Sequence, residues 1–150
     1  WQRQGHLHMT EGDVTDFDKV RADINALASK YQIRGVGLDP WNSAQLGLQL
    51  QGDVLPMEQY RQGYASLSAP SKQLENWVVS GKVLHGGHPV LTWQAGNVAI
   101  QSDSAAGNIK PSKARSTERI DGIVSLVMAI GLWQKASAPE PEQSWDITII

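Results

Sequence analysis

"STERIDGIVSLVMAIGLW", residues 116–133, contains the longest apolar run of the sequence. Its apolar residues recur at helical spacing, which predicts a helix that buries one face in the core. One carboxylate, Asp121, lies near the first turn of this apolar part. A carboxylate in apolar surroundings costs free energy unless it is paired, hydrogen-bonded or bound to a metal. Asp121 therefore needs an explanation.

The composition predicts a single domain, because 150 residues with 41% hydrophobic content suffice for one ordinary core. The formal charge of -2 gives no global reason to expect nucleic acid, although a local basic surface would still attract phosphate. The chain contains no cysteine, which excludes disulfides, thiolate metal sites and thiol nucleophiles. The longest apolar run is too short to span a bilayer, so we expect no membrane partner.

The first third of the chain predicts a helix followed by a strand. Apolar residues fall at helical spacing from Asp16 to Tyr31, and Thr15 with Asp18 resembles a capping box. The next run, "IRGVGLDP" (residues 33–40), is typical of a short buried strand that ends at its proline. Asp39 is therefore expected at the carboxyl end of this strand.

The middle of the chain continues the alternation of helices and strands. Asn42 is placed to cap a second helix, which Gly52 would end in a left-handed turn. "PMEQYRQG" (residues 56–63) predicts another strand, and Ser68 is expected to open a third helix with Pro70 in its first turn. This alternation predicts an α/β fold with a parallel portion.

The last part predicts a hairpin, the apolar helix and a tail. Residues 98–101 are typical of a strand, and "DSAAGN" (residues 103–108) is typical of a turn before a second strand. "ASAPEPEQS" has the Pro and Glu content of a flexible segment. We therefore expect one domain over residues 1–136 and a flexible tail over residues 137–150. Trp1 begins neither a signal peptide nor an initiator-Met start, so the chain is expected to be a piece of something longer.

Asp39 and Asp121 form the best candidate site. Ligands bind at the carboxyl ends of strands in open α/β sheets, and Mg²⁺ and Mn²⁺ prefer carboxylate and water oxygens. Two such ions activate a water and stabilise the leaving oxygen in phosphodiester cleavage. From the residues alone the simpler interpretation is favoured, in which Asp39 caps the following turn and Asp121 favours the positive end of its helix.

A basic stretch leads into Asp121 and is the candidate DNA-binding element. Next to a metal site it would hold a phosphate backbone, although solvated surface is the ordinary interpretation of scattered cations. Glu118 is one turn before Asp121 and Arg61 follows a predicted strand, so both are accessory candidates. The stretch consists of Lys110, Lys113, Arg115 and Arg119. HExxH, P-loop and GxSxG motifs are all lacking from the sequence.

Three stretches, which follow one another in the order found in the family, resemble the carboxyl-terminal nuclease domain of tailed-phage terminase large subunits. They are "RGVGLDPWNSAQLGLQL", "YRQGYASLSAPSKQLENWVVSGKVLHGGHPVLTWQAGNVAI" and "DSAAGNIKPSKARSTERIDGIVSLVMAIG". The resemblance implies an RNase H-like mixed sheet flanked by helices, and a Mg²⁺- or Mn²⁺-dependent endonuclease that cuts concatemeric viral DNA during packaging. Asp39 in "GLDPWN" matches the family's strand-end acid, and Asp121 in "RIDG" matches the acid on its last helix. The resemblance also makes Lys113 and its neighbours candidate DNA contacts.

The resemblance further implies partners and a location. The partners are double-stranded viral DNA, the terminase ATPase domain, the small terminase subunit and the portal protein, in the cytoplasm of a bacterial host. The family's first metal-binding Asp lies on a leading strand, and nothing in Trp1 to Asp13 matches it. We therefore expect a sheet without its leading strands and a fragment with little activity on its own. The alternatives are a DNA-binding or docking module without chemistry, and a decayed prophage remnant.

Overall fold

Residues 1–41 and 44–137, the part of the chain that a computed structural model describes, fold into helices and short strands, which alternate over residues 17–79. A short 3₁₀ turn at Gln2–Gln4 precedes them. In chain order the elements are α1 (Phe17–Ala28), β1 (Val36–Leu38), α2 (Ala44–Gly52), β2 (Met57–Gln59), α3 (Tyr64–Val79), α4 (Pro89–Asn97), β3 (Ile100–Asp103), β4 (Asn108–Pro111) and α5 (Asp121–Ser137). The predicted α/β alternation is confirmed.

The described strands form two small sheets. β1 and β2 pair in parallel, with Val36 opposite Met57, across the crossover helix α2. β3 and β4 pair antiparallel, with Ile100 opposite Pro111, and Gly107 takes a φ of 64° in the connecting turn. The predicted parallel portion and the predicted hairpin are thus both present.

The hydrophobic core lies between α3 and α5. Leu67 of α3 is 2% exposed and packs against the buried face of α5 and the residue before it. That buried set is Ile120, Val124, Val127 and Met128. Residues three and four apart share one helix face, so the periodicity that predicted this helix also predicted its buried side. Among residues 1–41 and 44–137, no helix is both long and apolar enough to cross a membrane.

α5 begins at Asp121 and not at Ser116, the first residue of the stretch "STERIDGIVSLVMAIGLW". The carbonyl of Ile120 accepts the first helical hydrogen bond, from the Val124 N–H at 3.0 Å. The preceding residues instead turn around Ser112, whose carbonyl accepts from the backbone N–H groups of Arg115 and Ser116 at 3.2 and 3.0 Å. Asp121 is therefore the first helical residue.

α3 begins at Tyr64, four residues before the predicted start at Ser68, and Pro70 lies inside it rather than in its first turn. A proline inside a helix removes the N–H that would bond the carbonyl four residues earlier. Here the Tyr60 hydroxyl donates to that carbonyl, on Ser66, at 2.8 Å. The predicted start of α3 was wrong because the Tyr60 hydroxyl replaces the N–H that proline lacks, so the helix can extend to both sides of Pro70.

α4 was not predicted as a helix. Pro89 occupies its first position, where a missing N–H is harmless, and the helix contains no buried residue. Because no face of α4 is fully buried, its sequence lacks a strong helical period.

The observed start of α1 and the observed end of α2 also differ from the predicted ones. Asp16, not a Thr15 capping box, caps α1 by accepting from the Lys19 N–H at 3.0 Å. Gly52 stays within α2, and the left-handed residue is Val54, with a φ of 65°. The predicted cap Asn42 and nearly all of the predicted tail, from residue 138 onward, lie outside the described residues.

Candidate metal and nucleic-acid site

β1 runs toward the amino end of α5. A methyl group placed on Gly35 would lie 3.7 Å from Leu132 Cδ1, whereas one on Gly37 would lie 3.1 Å from Leu132 Cδ1 and 3.7 Å from Met128 Cε. The contact on α5 thus moves toward lower residue numbers as β1 advances. Asp39, two residues beyond Gly37, is about 7 Å further in this direction, or a little over one helical turn.

β2 runs in the same direction as β1 and shows the same trend. Tyr60, directly after β2, touches Gly131, and two residues later the side-chain amide of Gln62 lies 3.9 Å from Met128 Sδ. The carboxyl ends of both strands therefore face the amino end of α5. Asp39, Arg61 and Asp121 lie toward this common end of the structure.

Asp39 is half-buried, and its Oδ1 accepts from the Trp41 N–H at 3.2 Å. This bond closes an Asx turn directly after the strand, which agrees with the simpler interpretation of Asp39. The turn orients the side chain of Asp39 at the carboxyl end of β1.

Asp121 is exposed, with 58% of its side chain accessible, so its position in an apolar helix carries no burial penalty. Its Oδ1 forms an ion pair with Lys113 Nζ at 2.6 Å. Lys113 is 55% exposed and lies on the turn between β4 and α5. The structure thus joins one predicted acid to one predicted DNA contact.

α4 holds the first turn of α5, a feature that sequence reasoning missed. Gln94 Oε1 accepts from the Gly122 N–H at 2.6 Å, which satisfies one of the backbone donors left free at a helix start. The sequence alone assigns no role to Gly122 of "RIDG". A glycine directly after an acid in an apolar helix was the available signal for a close contact.

The predicted basic residues differ in their surroundings. Lys110 is half-buried in β4, where its Nζ lies 3.4 Å from the Gln62 carbonyl and 5.2 Å from the centre of the Tyr64 ring. This cation–π contact anchors it near the end of β2. The other candidate cations are exposed, namely Lys113, Arg115, Arg119 and Arg61. The accessory candidate Glu118 is exposed as well.

The donor set suits a hard divalent cation. Within residues 1–41 and 44–137, no group of three or more His, Asp or Glu side chains is arranged to hold a metal ion. Mg²⁺ usually keeps several waters and binds through one or two carboxylates together with substrate phosphates. Asp39 and Asp121, with oxygen ligands near solvent, fit that mode of binding.

Comparisons with known proteins identify the family. The family model described as the terminase large subunit, endonuclease domain, matches residues 1–137. The terminase large subunit of Enterobacteria phage HK97 is 35% identical over 133 residues, which cover 87% of this chain and 26% of that protein. Protein YmfN of Escherichia coli (strain K12) is 31% identical over 134 residues, covering 87% of this chain and 29% of that protein.

A solved structure agrees with these relatives. The crystal structure of the HK97 bacteriophage large terminase matches with a TM-score of 0.80 and 34% identity, over 88% of this chain and 28% of that one. The chain therefore spans about a quarter of the length of the relatives that it matches. It has the RNase H-like fold of that domain, and it belongs to the family of terminase large-subunit endonuclease domains.

Proposed function

We propose that this chain supplies the metal-dependent endonuclease site of a phage DNA-packaging terminase. The observation that carries the proposal is the opposed direction of the strands and α5, which brings Asp39 and Asp121 toward one end of the fold. Both residues carry the carboxylate oxygens that a hard divalent cation prefers, and both lie on the stretches that carry the family resemblance. The reaction is hydrolysis of a DNA phosphodiester.

A divalent cation, Mg²⁺ or Mn²⁺, would supply an activated water and charge stabilisation of the leaving oxygen when bound. Asp39 and Asp121 would hold it through carboxylate oxygens. The Asx turn keeps Asp39 oriented, and the helix start keeps Asp121 oriented. In the reaction a P–O bond to water forms, the ester P–O bond breaks, and the departing oxygen takes up a proton.

Lys113 has a second task in this proposal. Its ammonium group neutralises Asp121 at 2.6 Å in the metal-free chain. A cation at Asp121 would repel this ammonium group, which is exposed and free to swing toward a DNA phosphate. Lys113, Arg115 and Arg119 would then contact the backbone, which positions the duplex without reading its sequence.

The proposed substrate is concatemeric double-stranded viral DNA in the cytoplasm of the bacterial host. The proposed partners are the terminase ATPase domain, the small terminase subunit and the portal protein. Family membership supports these partners, and the exposed cations support a contact with the DNA backbone. Measured on this chain alone, cleavage is expected to be weak.

Metal binding tests the acidic pair independently of cleavage. Mn²⁺ added to the labelled 150-residue chain should broaden the amide signals near Asp39 and Asp121, and Asp39→Asn or Asp121→Asn should each reduce the broadening. Asp18→Asn is the matched control, because Asp18 is an exposed acid in the first turn of α1. Plasmid nicking in Mn²⁺ should fall below detection in both test variants. If both variants bind Mn²⁺ and cut like the parent, the metal assignment is wrong.

A DNA-docking module without chemistry is the second candidate function. The observation in its favour is that the described residues bring together no acidic cluster of three, whereas the basic residues are exposed. Lys113→Ala and Arg119→Ala should each lower the slope of log affinity against log salt by about 1. Lys30→Ala, on an exposed position after α1, is the control. Salt-sensitive binding without cleavage or metal binding would favour this function.

A further inference from the structure

The start of α5 depends on a side chain from another helix. The first four N–H groups of a helix lack partners within it and are usually capped by a nearby Ser, Thr, Asp or Asn. The residue before α5 is Ile120, whose side chain accepts no hydrogen bond. Gln94 of α4 provides the acceptor instead, at 2.6 Å from the Gly122 nitrogen.

The absence of a side chain at Gly122 leaves room for the end of the Gln94 side chain. A Cβ at this position would lie 2.6 Å from Gln94 Oε1 and 3.4 Å from Leu91 Cδ1, also on α4. A contact of 2.6 Å is too short for a carbon and an oxygen, so a side chain at this position would displace the end of the Gln94 side chain from its present place. The two residues act as a matched pair, and Asp121 is the neighbour of one of them.

The carboxyl end of α4 also holds the residues that lead into α5. The Thr117 backbone N–H donates to the Asn97 carbonyl at 3.4 Å, and the Ala99 N–H donates to Ser116 Oγ at 3.0 Å. Ser116 Oγ in turn donates to the Ser112 carbonyl at 2.8 Å. α4 and the residue pair after it therefore hold both the approach to α5 and its first turn.

We propose that Gln94 is a positioning residue, which sets the place and direction of Asp121 for metal binding through its bond to Gly122. The inference rests on the proposed function, because it assigns Asp121 to a metal. It goes beyond that function by giving a role to α4. Partners that orient a metal ligand usually contribute about ten-fold or more to metal affinity, whereas a helix cap alone changes helix stability without a special effect on metal.

The first measurement needs no metal. In Gln94→Ala, hydrogen exchange of the Gly122 amide should be faster by about five-fold, the size expected when a cap is lost. Gln94→Glu keeps an acceptor oxygen at the same reach and should restore slow exchange. Thr92→Ala is the matched control on α4, because the exposed Thr92 hydroxyl bonds the His88 carbonyl of its own helix. In Thr92→Ala the Gly122 amide should exchange at the same rate as in the parent.

The second measurement is Mn²⁺ affinity, followed by amide broadening on the 150-residue chain. Gln94→Ala should weaken it by about ten-fold, and Gln94→Glu should recover it. Gly122→Ala should weaken Mn²⁺ affinity by a similar factor when Gln94 is present. In a chain that already carries Gln94→Ala it should have far less effect, because the alanine at position 94 leaves room for the new methyl group. This non-additivity is expected of residues in contact.

The outcomes separate this inference from the proposed function. If Asp39→Asn and Asp121→Asn abolish Mn²⁺ binding while Gln94→Ala leaves it unchanged, Gln94 is a helix cap only and the inference is overturned. If the Asn variants themselves bind Mn²⁺ normally, the metal assignment fails first. Loss of binding in Gln94→Ala with no recovery in Gln94→Glu also contradicts the inference, since the acceptor oxygen would not be what matters.

Discussion

The α3–α5 region (residues 64–79 and 121–137) and the α1–α2 region (residues 17–28 and 44–52) are held together in different ways. α3 and α5 bury a continuous apolar core, with Leu67 and Val127 almost fully inaccessible. α1 contains no buried residue. Asp121 thus begins a helix with a well-packed inner face, whereas Asp39 follows a strand of three half-buried residues.

α1 is joined to the end of α2 by a polar network, although α2 itself buries Leu46 and Leu50. Arg21 donates to both carboxylate oxygens of Asp53, from Nε at 2.6 Å and from Nη2 at 2.5 Å, and Asn25 donates to the same carboxylate at 2.7 Å. The hydrogen bond from Arg21, followed by the one from Asn25, lowers the pKa of Asp53 to about 2. Meanwhile Leu27 of α1 and Leu48 of α2 are 50% and 72% exposed.

The largest expected effect concerns this difference in packing. Leu67→Ala should lower the free energy of unfolding by about 3 kcal/mol, because the truncation leaves a cavity that neighbouring side chains fill incompletely. Leu27→Ala, the same truncation on the exposed face of α1, should cost less than about 1 kcal/mol. Urea unfolding followed by tryptophan fluorescence measures both. Equal losses would mean that Leu27 is as closely packed as Leu67.

The second prediction tests the link between the core and the parallel strands. Tyr60→Phe should cost about 1 to 2 kcal/mol, because the Ser66 carbonyl loses its donor opposite Pro70 and no backbone N–H replaces it. Gly131→Ala should act in the same way, since its methyl group would overlap the Tyr60 hydroxyl. In the double variant the costs should not add. Strict additivity in urea unfolding would contradict a shared mechanism.

Burial also raises the pKa of the Tyr60 hydroxyl. A raised pKa in the folded state means that the contribution to stability is complete below the usual tyrosine pKa and is lost as the pH rises through the folded value. Stability of the parent should therefore fall in alkali more steeply than that of Tyr60→Phe.

The elements also differ in how far the sequence predicts them. The periodicity of α5 predicts its buried face because one helix side contacts one core. The strand-end position of Asp39 and the hairpin follow from local signals in the same way. The start of α3 does not, because the Tyr60 hydroxyl supplies a side-chain hydrogen bond that the helical pattern does not show. The whole of α4 does not either, because it contains no buried residue to give it a clear period.

The candidate site was predicted from a resemblance as much as from spacing. Asp39 and Asp121 are 82 positions apart, so nothing local relates them. β1 approaches Leu132 and Met128 of α5 at Gly37, and the direction of this contact points Asp39 toward the end of α5 at which Asp121 lies. Their assignment as metal ligands stays a prediction.

The third prediction separates the polar network from the core by pH. The folded pKa of Asp53 is about 2 against an ordinary value of 3.8, so its contribution is complete above about pH 4 and is lost as the pH falls toward 2. The Arg21 Nε–H signal should report the loss of this bond over that range while the core of α5 stays protected. Asp53→Asn should remove the transition. Asp23→Asn is the control, because Asp23 pairs with Lys19 within α1 and does not join the two helices.

The smallest expected effect concerns backbone strain after α2. Val54 is 90% exposed and has a φ of 65°, a conformation that costs a β-branched residue about 1 to 2 kcal/mol. Val54→Gly removes this strain but adds freedom to the unfolded chain, so the net gain should be about 0.5 to 1 kcal/mol. Val79→Gly is the matched control, because Val79 is 84% exposed and ends α3 in ordinary helical geometry.

The two glycine substitutions should change stability in opposite directions. Val79→Gly should cost about 0.5 to 1 kcal/mol, since glycine in a helix gives up more chain freedom and relieves no strain there. Thermal unfolding of the two variants beside the parent measures the difference. A loss of stability in both would contradict the proposed strain at Val54.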